Sequence, residues 1–252
     1  MFAARFEKLG HRFHDGRWGV RGIDLSIRSG NLTVVAGPNG AGKSVLMKHL
    51  AGLLEPSEGR VLVGDEEALD RRGRPLGAAK VGYVFQSAEA QMLGDTALDD
   101  ARLGPANQGL PWPEVERRAR DALGRCGLAG RENDLAFSFS GGEARRLAIA
   151  AVLAMEPSIL VLDEPFANLD RAGVVQVVRL VRDLLEGGTT VVLLTHEIEK
   201  VLGLASRLVV LVGGSVAFDG SPSDGIAAGV GRWGLANPLA VPRRLEDLAW
   251  LD

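Results

Sequence analysis

The residues Gly37–Ser44 read GPNGAGKS. This matches G-x-x-x-x-G-K-[ST], a pattern built to hold phosphates. Gly37, Gly40 and Gly42 let the backbone curl until its N–H groups face phosphate oxygens, with Pro38, Asn39 and Ala41 completing the turn. A helix starting at Lys43 adds partial positive charge at the same point. Lys43 is expected to reach the β- and γ-phosphates, and the Ser44 hydroxyl to ligate Mg²⁺. Alone, the pattern implies a purine nucleotide and nothing more specific. ILVLDEP, Ile159–Pro165, is an apolar strand ending in two carboxylates. In a parallel sheet the carboxyl ends of the strands border the ligand crevice. There Asp163 is expected to hold the Mg²⁺ shell and Glu164 to orient or deprotonate an attacking water. FSGGE, Phe139–Glu143, leads into a helix over Ala144–Met155. Small residues at a helix start form an anion site, although for this pentapeptide alone a simple N-cap by Ser140 is the better explanation. A second anion site becomes useful if two copies face head to tail, each placing its SGG against the nucleotide held by the other.

Such residues need elements to position them. Leu32–Ala36, Val81–Phe85, Ile159–Leu162, Thr190–Leu194 and Leu208–Val212 are short runs of Val, Leu and Ile, apolar on both faces. Parallel strands covered by helices have that character. Lys43–Leu54 carries Val45, Leu46, His49, Leu50, Leu53 and Leu54 along one side and stops before Pro56. Ala172–Leu185 is apolar at helical spacing and ends at Gly187-Gly188. Strands alternating with helices predict an α/β protein with a parallel sheet. Arg5–Phe13 and Val20–Arg28 read instead as two half-exposed strands joined through Asp15-Gly16, and Gly213-Gly214 joins Leu208–Val212 to Ser215–Phe218 as a hairpin. The middle, roughly Ser87–Phe139, is polar and helix-prone, with a helix predicted over Glu114–Arg125 after Pro111 and Pro113. It reads as a small helical subdomain inserted into the core. The last residues, Gly225–Asp252, including Trp233 and Trp250, have no assigned fold.

At 252 residues the chain has room for one large domain or two small ones. Hydrophobic residues at 46% and charged residues at 24% support an ordinary core and exclude wholesale disorder. A net charge of −3 argues against a protein that grips nucleic-acid backbones. Glycine is in excess, 33 of 252 residues, against an average of about 7%. The single cysteine, Cys126, excludes an intrachain disulfide and a cysteine metal cage. His11, His14 and His49 lack partners at metal-ligand spacing and read as ordinary surface or core residues. No apolar run approaches the ~18–20 residues of a membrane helix, and MFAARFEKLGHRF lacks the apolar centre of a signal peptide. The expected location is the cytoplasm.

The order of GPNGAGKS, Gln86 after VGYVF, FSGGE, ILVLDEP, ANLD (Ala167–Asp170) and THE with His196 resembles the ATP-binding-cassette (ABC) ATPases. The resemblance runs from about Arg5 to Pro222. It implies a P-loop NTPase with a RecA-like parallel core, an N-terminal antiparallel β subdomain and the helical subdomain inserted at about 87–150. The cassette would span 1–222, followed by a C-terminal extension, 223–252. Position by position, Phe13 resembles the aromatic that stacks on adenine. Gln86 resembles the Q-loop glutamine, which contacts Mg²⁺ or water and relays to a membrane partner. Ser140, Gly141, Gly142 and Glu143 resemble the signature that meets the γ-phosphate of the opposite subunit. Asp170 resembles the D-loop aspartate at the dimer seam, and His196 the switch histidine that holds the γ-phosphate and Glu164. The chain departs from the family pattern at Phe139, Glu143, Val45 and Phe13. Val45 lies beside the phosphate loop but lacks the usual hydroxyl.

Val84–Pro105, VFQSAEAQMLGDTALDDARLGP, resembles the energy-coupling-factor and cobalt/nickel/biotin-type branch through Gln86, Gln91, Thr96, Asp99-Asp100 and Gly104-Pro105. This resemblance implies a surface groove over Gln86–Pro105 for the coupling helices of a transmembrane scaffold. The tail Pro242–Leu251 is similar to the same branch. The implied protein hydrolyses ATP with Mg²⁺ as cofactor and energises uptake of a vitamin or transition-metal ion. Its expected partners are a second ATPase subunit, identical or different, the scaffold and a membrane substrate-binding component, with no nucleic acid. It would sit on the inner face of the cell membrane. A soluble ABC ATPase of repair or cofactor assembly, and a nucleotide-binding regulatory subunit with little turnover, stay open as alternatives.

Overall fold

The structure is a computed structural model and describes residues 1–69 and 80–239. Two strands open the chain, β1 (Phe2–Arg12) and β2 (Trp18–Arg28), paired antiparallel through the turn at Gly16. They are followed by β3 (Leu32–Ala36) and helix α1 (Lys43–Leu50). Next come β4 (Glu58–Val63), β5 (Glu66–Glu67) and β6 (Val81–Val84). Three helices then run consecutively: α2 (Ala97–Asn107), α3 (Trp112–Arg125) and α4 (Gly141–Leu153). The chain continues through β7 (Ile159–Asp163), α5 (Arg171–Glu186), β8 (Thr190–Thr195), β9 (Arg207–Val212), β10 (Ser215–Gly220) and α6 (Pro222–Ala227).

The strands form two sheets. One is four-stranded in the order β2-β1-β4-β5, with antiparallel pairs throughout. The other is six-stranded in the order β10-β9-β3-β8-β7-β6, parallel except for the β9–β10 hairpin. The chain is therefore an α/β protein whose parallel core matches the expectation from its apolar runs. β3, β7 and β8 are buried along their whole length, so alternate side chains feed two different cores. Val34, Leu160 and Leu193 enter the core shared with α2, α4 and α5. Val35, Val161 and Val192 enter the one shared with α1 and the antiparallel sheet.

Several elements differ from the sequence reading. The helix expected over Lys43–Leu54 ends at Leu50. Gly52 adopts φ 68°, and the Leu53 N–H folds back to the Lys48 carbonyl at 2.8 Å. A left-handed glycine with this back-bond is a helix stop, and it turns Leu53 out to solvent. β4 and α2 were not foreseen. β4 is apolar only over Val61–Val63 and is secured by pairing with β1. α2 contains Pro105, which a sequence reading takes for a breaker. The described part of the C-terminal stretch is folded onto the core: Val230, Trp233 and Leu235 are buried, and Trp233 lies 5.1 Å from Phe218. The tail similarity at Pro242–Leu251, and Trp250, lie outside the described residues.

Candidate nucleotide site

Strand register gathers the motifs at one edge. Ala36 pairs with Thr195, and Leu194 with Asp163. The phosphate loop after β3, His196 after β8 and Glu164 after β7 therefore leave the same carboxyl edge of the sheet. β8 lies between β3 and β7 although it follows both in the chain. Ligand crevices form at the carboxyl ends of such sheets, where the strand order reverses.

A cleft of about 660 Å³ opens there, lined by Asn39–Val45 of the loop together with Phe13, Gln86, Glu164 and His196. That volume lies in the usual range for small-molecule sites. The loop depends on its glycines. Gly37 has φ 147°, and a Cβ there would lie 2.2 Å from the Leu211 carbonyl oxygen. Gly42 has φ 98°, and its Cβ would lie 2.6 Å from the Gly19 carbonyl oxygen. No β-carbon fits at either position. Phe13, 41% exposed, stands at the mouth with His11 packed on it edge to face, ring centroids 4.9 Å apart. Gly19 makes room for it, since a Cβ there would meet Phe13 at 2.9 Å and Val45 at 3.2 Å.

Charge converges on Glu164. Lys43, only 6% exposed, donates to the carbonyls of Gly37 (2.8 Å) and Pro38 (3.3 Å) and lies 3.5 Å from Glu164 Oε1. His196 Nδ1 lies 3.1 Å from Glu164 Oε2. Each oxygen of this buried carboxylate thus has its own partner. The backbone at Glu164 is left-handed, φ 46°, and is pinned by its N–H to the Leu194 carbonyl at 2.9 Å. A non-glycine residue held this way is typical of functional sites, at a cost of about 1 kcal/mol or more.

Asp163 is buried beside Glu164. Its Oδ2 accepts from the Tyr83 hydroxyl at 2.7 Å, while Oδ1 is buried with no partner. Burial, then the charge and hydrogen bond of Asp163, hold the Tyr83 phenol well above its ordinary pKa, so it serves as a donor. A carboxylate oxygen without a protein partner, at the strand end next to Glu164, together with the Ser44 hydroxyl in the cleft, suits a hard divalent cation that shares its shell with phosphates and water. No cluster of three His, Cys, Asp or Glu exists among the described residues, and a phosphate-borne Mg²⁺ does not need one.

The remaining motif residues are placed as follows. Ser140–Glu143 form the start of α4 and are not among the residues lining the cleft. Glu143 accepts from the Ser140 N–H (2.9 Å) and hydroxyl (2.8 Å), and these bonds, with Arg131, lower its pKa to about 2. Asp170 caps α5 by accepting from the Gly173 N–H at 2.7 Å. Gln86 is exposed, and its carbonyl accepts from Arg145. Within Gln86–Pro105, several residues expected to face a groove turn inward. Gln91 clasps the end of β6 through Phe85 N–H (3.0 Å) and the Tyr83 carbonyl (3.2 Å). Asp100 is buried and accepts from the N–H groups of Leu93 (2.7 Å) and Gly94 (2.9 Å), and Gly104 packs on Met155. These residues brace the loop. What they leave at its surface is Leu93, 81% exposed.

Sequence reasoning missed Arg17, Trp18 and Ala167, which also line the cleft. It also missed Tyr83 and Arg145. Arg145 is a buried cation that donates to the carbonyls of Phe85 (2.8 Å) and Gln86 (2.6 Å). A polar group inside an otherwise apolar run is the signal that points to Tyr83, because a buried hydroxyl must find a partner; Arg145, between Glu143 and Arg146, carries no such signal.

A family profile described as ABC transporter matches residues 20–167. The energy-coupling factor transporter ATP-binding protein EcfA of Methanocaldococcus jannaschii is 37% identical over 225 residues, 89% of this chain and 81% of that protein. Among solved structures, cbiO1 of Clostridium perfringens, part of the ABC transporter complex cbiONQ, superposes with a TM-score of 0.82. It shares 33% identity over 90% of this chain and 91% of its own. A dimeric cassette in a post-hydrolysis state bound to ADP and Pi superposes with a TM-score of 0.78. It shares 27% identity over 87% of this chain and 98% of its own.

Proposed function

Because the chain belongs to the ABC transporter ATPases, we propose that it energises an energy-coupling-factor type importer of a vitamin or transition-metal ion. Its chemistry is hydrolysis of ATP to ADP and phosphate. The observation that carries the assignment of roles is the position of Glu164, with Lys43 at one oxygen, His196 at the other, and the glycine loop across the cleft.

ATP enters with its base against Phe13 and its phosphates under the N–H groups of Gly37–Val45. Lys43 moves from the loop carbonyls to the β- and γ-phosphates. Ser44, Asp163 and Gln86 would hold Mg²⁺, which would neutralise phosphate charge. Glu164 takes the proton of the attacking water as general base, and His196 keeps Glu164 oriented and donates toward the γ-phosphate. Ser140–Glu143 lie outside this cleft, which supports their use in trans: the γ-phosphate of one cassette meets the start of α4 in the other, with Asp170 at the seam. These charge-assisted hydrogen bonds exist only while the γ-phosphate is attached. Hydrolysis removes them, and the dimer loses the differential affinity that closed it.

The importer branch is supported by the relative named for an energy-coupling factor and by the cbiONQ membership of the solved relative. The braced loop Gln86–Pro105, next to the catalytic cleft and carrying exposed Leu93, suits a transmembrane scaffold. No described helix is long and apolar enough to cross a membrane, so the pathway and the substrate-binding component fall to other chains. The cassette would be peripheral on the inner face of the cell membrane. Two experiments test this reading. Glu164→Gln is expected to run as an ATP-dependent dimer on size exclusion and Lys43→Ala to stay monomeric; a monomeric Glu164→Gln refutes the sandwich. Mild-detergent purification is expected to recover an integral membrane protein with the chain, and recovery of the chain alone in the soluble fraction refutes the importer.

A further inference from the structure

Tyr83 is the third residue of β6, the edge strand next to β7, and pairs in register with Val161. Its neighbours Val81 and Val84 are buried aliphatics, and Tyr83 itself is only 6% exposed. A phenylalanine would fill this place as well, so packing alone gives the hydroxyl no purpose. The hydroxyl reaches across to the end of β7 and donates to Asp163 Oδ2 at 2.7 Å. The phenol on β6 therefore ties down a carboxylate at the end of β7, a group from a different element. Asp163 Oδ1 stays buried without a partner. A carboxylate with one oxygen tied and the other free has lost the rotation that would average the two.

We propose that Tyr83 is a positioning residue for the divalent cation: its hydroxyl locks Asp163 so that Asp163 Oδ1 is the oxygen offered to the metal's shell. This rests on the assignment of Asp163 and Ser44 as the Mg²⁺ holders. Hydrogen-bond partners that orient a metal's ligands commonly change its affinity by about 10- to 100-fold. The effect belongs to the metal-dependent part of nucleotide binding only, because the phenol does not line the cleft that receives base and phosphates.

The test measures the Kd of a fluorescent ATP analogue in EDTA and in excess Mg²⁺, and takes the ratio of the two. Tyr83→Phe, which removes one oxygen, is expected to lower that ratio about tenfold while the Kd in EDTA stays at the wild-type value. Asp163→Asn is run beside it and is expected to abolish the advantage of Mg²⁺. If Asp163→Asn lowers the ratio and Tyr83→Phe does not, the inference about Tyr83 is wrong and the metal assignment stands. If Tyr83→Phe weakens binding equally with and without Mg²⁺, the residue only packs, and the inference is again overturned. If Asp163→Asn leaves the ratio unchanged, the metal assignment itself fails, and Tyr83 with it.

Discussion

Lowering the pH from 7 to 5 should destabilise this fold by about 2 kcal/mol through one side chain, His49. The residue sits in the last turn of α1, 1% exposed. Its Nδ1 lies 2.9 Å from the Leu54 carbonyl, so the neutral ring carries its proton on Nδ1 and donates there. Nε2 is buried with no partner. The His11 ring lies 4.9 Å away, and Glu55, Arg60 and Glu67 border the adjoining hollow. A proton added at Nε2 would bring a charge into this enclosure with nothing to receive it. Burial first, and His11 second, therefore lower the pKa to about 4 from an ordinary 6.5. Because the folded value is the depressed one, the unfolded chain binds the extra proton first. Stability is complete above pH 6.5 and is lost as the pH falls toward 4. At pH 5 the unfolded chain has gained about 1.5 pH units of protonation that the folded chain has not, and at about 1.4 kcal/mol per unit this is about 2 kcal/mol. In a chain of this size that is roughly 4–8 °C of melting temperature. The assay is thermal unfolding at pH 7 and pH 5 of wild type and His49→Asn, whose amide keeps the donor to Leu54 and cannot titrate. Carboxylates shift both proteins alike, so the difference isolates His49. Parallel shifts in the two proteins between pH 7 and 5 would refute the reasoning.

Three further outcomes are expected. His196→Ala should cut the ATPase rate by about 10²- to 10³-fold, the usual worth of a donor placed where charge develops, with ATP affinity kept within a few-fold; unchanged turnover in a phosphate-release assay would remove His196 from the mechanism. Gly37→Ala should abolish ATP binding, because its Cβ would lie 2.2 Å from the Leu211 carbonyl, whereas Gly40→Ala should be milder, having nothing within 4 Å of its Cβ; equal affinities of the two variants by fluorescence titration would contradict this. Arg145→Ala strips the carbonyls of Phe85 and Gln86 of their donor and should cost about 2 kcal/mol or more in urea unfolding; a loss under about 0.5 kcal/mol, the scale of an ordinary surface substitution, would show that water replaces it.

The chemistry of the chain was legible from one dimension because its motifs are local. GPNGAGKS, ILVLDEP and FSGGE each combine a turn, a strand end or a helix start with the residues that use it, and the apolar runs around them predict a parallel sheet without reference to distant contacts. Local structure that depends on a distant partner was not legible. β4 is half polar and exists because β1 offers its edge. α1 stops four residues early on the back-bond at Gly52. Gln91 and Asp100 carried the right residue types for a partner surface, yet the loop's unpaired N–H groups turn them inward, since a buried backbone donor has a stronger claim on a side chain than solvent does.

The sequence by itself determined which residues can meet a nucleotide, because spacing along a strand–loop–helix unit fixes the local backbone. Only the tertiary structure decided how those residues meet each other. Strand order places β8 between β3 and β7, and register sets Ala36 level with Thr195 and Asp163 level with Leu194. Those two facts bring Lys43, Glu164 and His196, which lie far apart in the chain, within hydrogen-bonding or ion-pairing reach. The pairing of β6 with β7 brings the Tyr83 phenol to Asp163, and α4 carries Arg145 to the carbonyls that follow β6. Pairing between strands is a property of the packed sheet, in which burial on both faces admits a single register, and no residue's neighbours in sequence encode it.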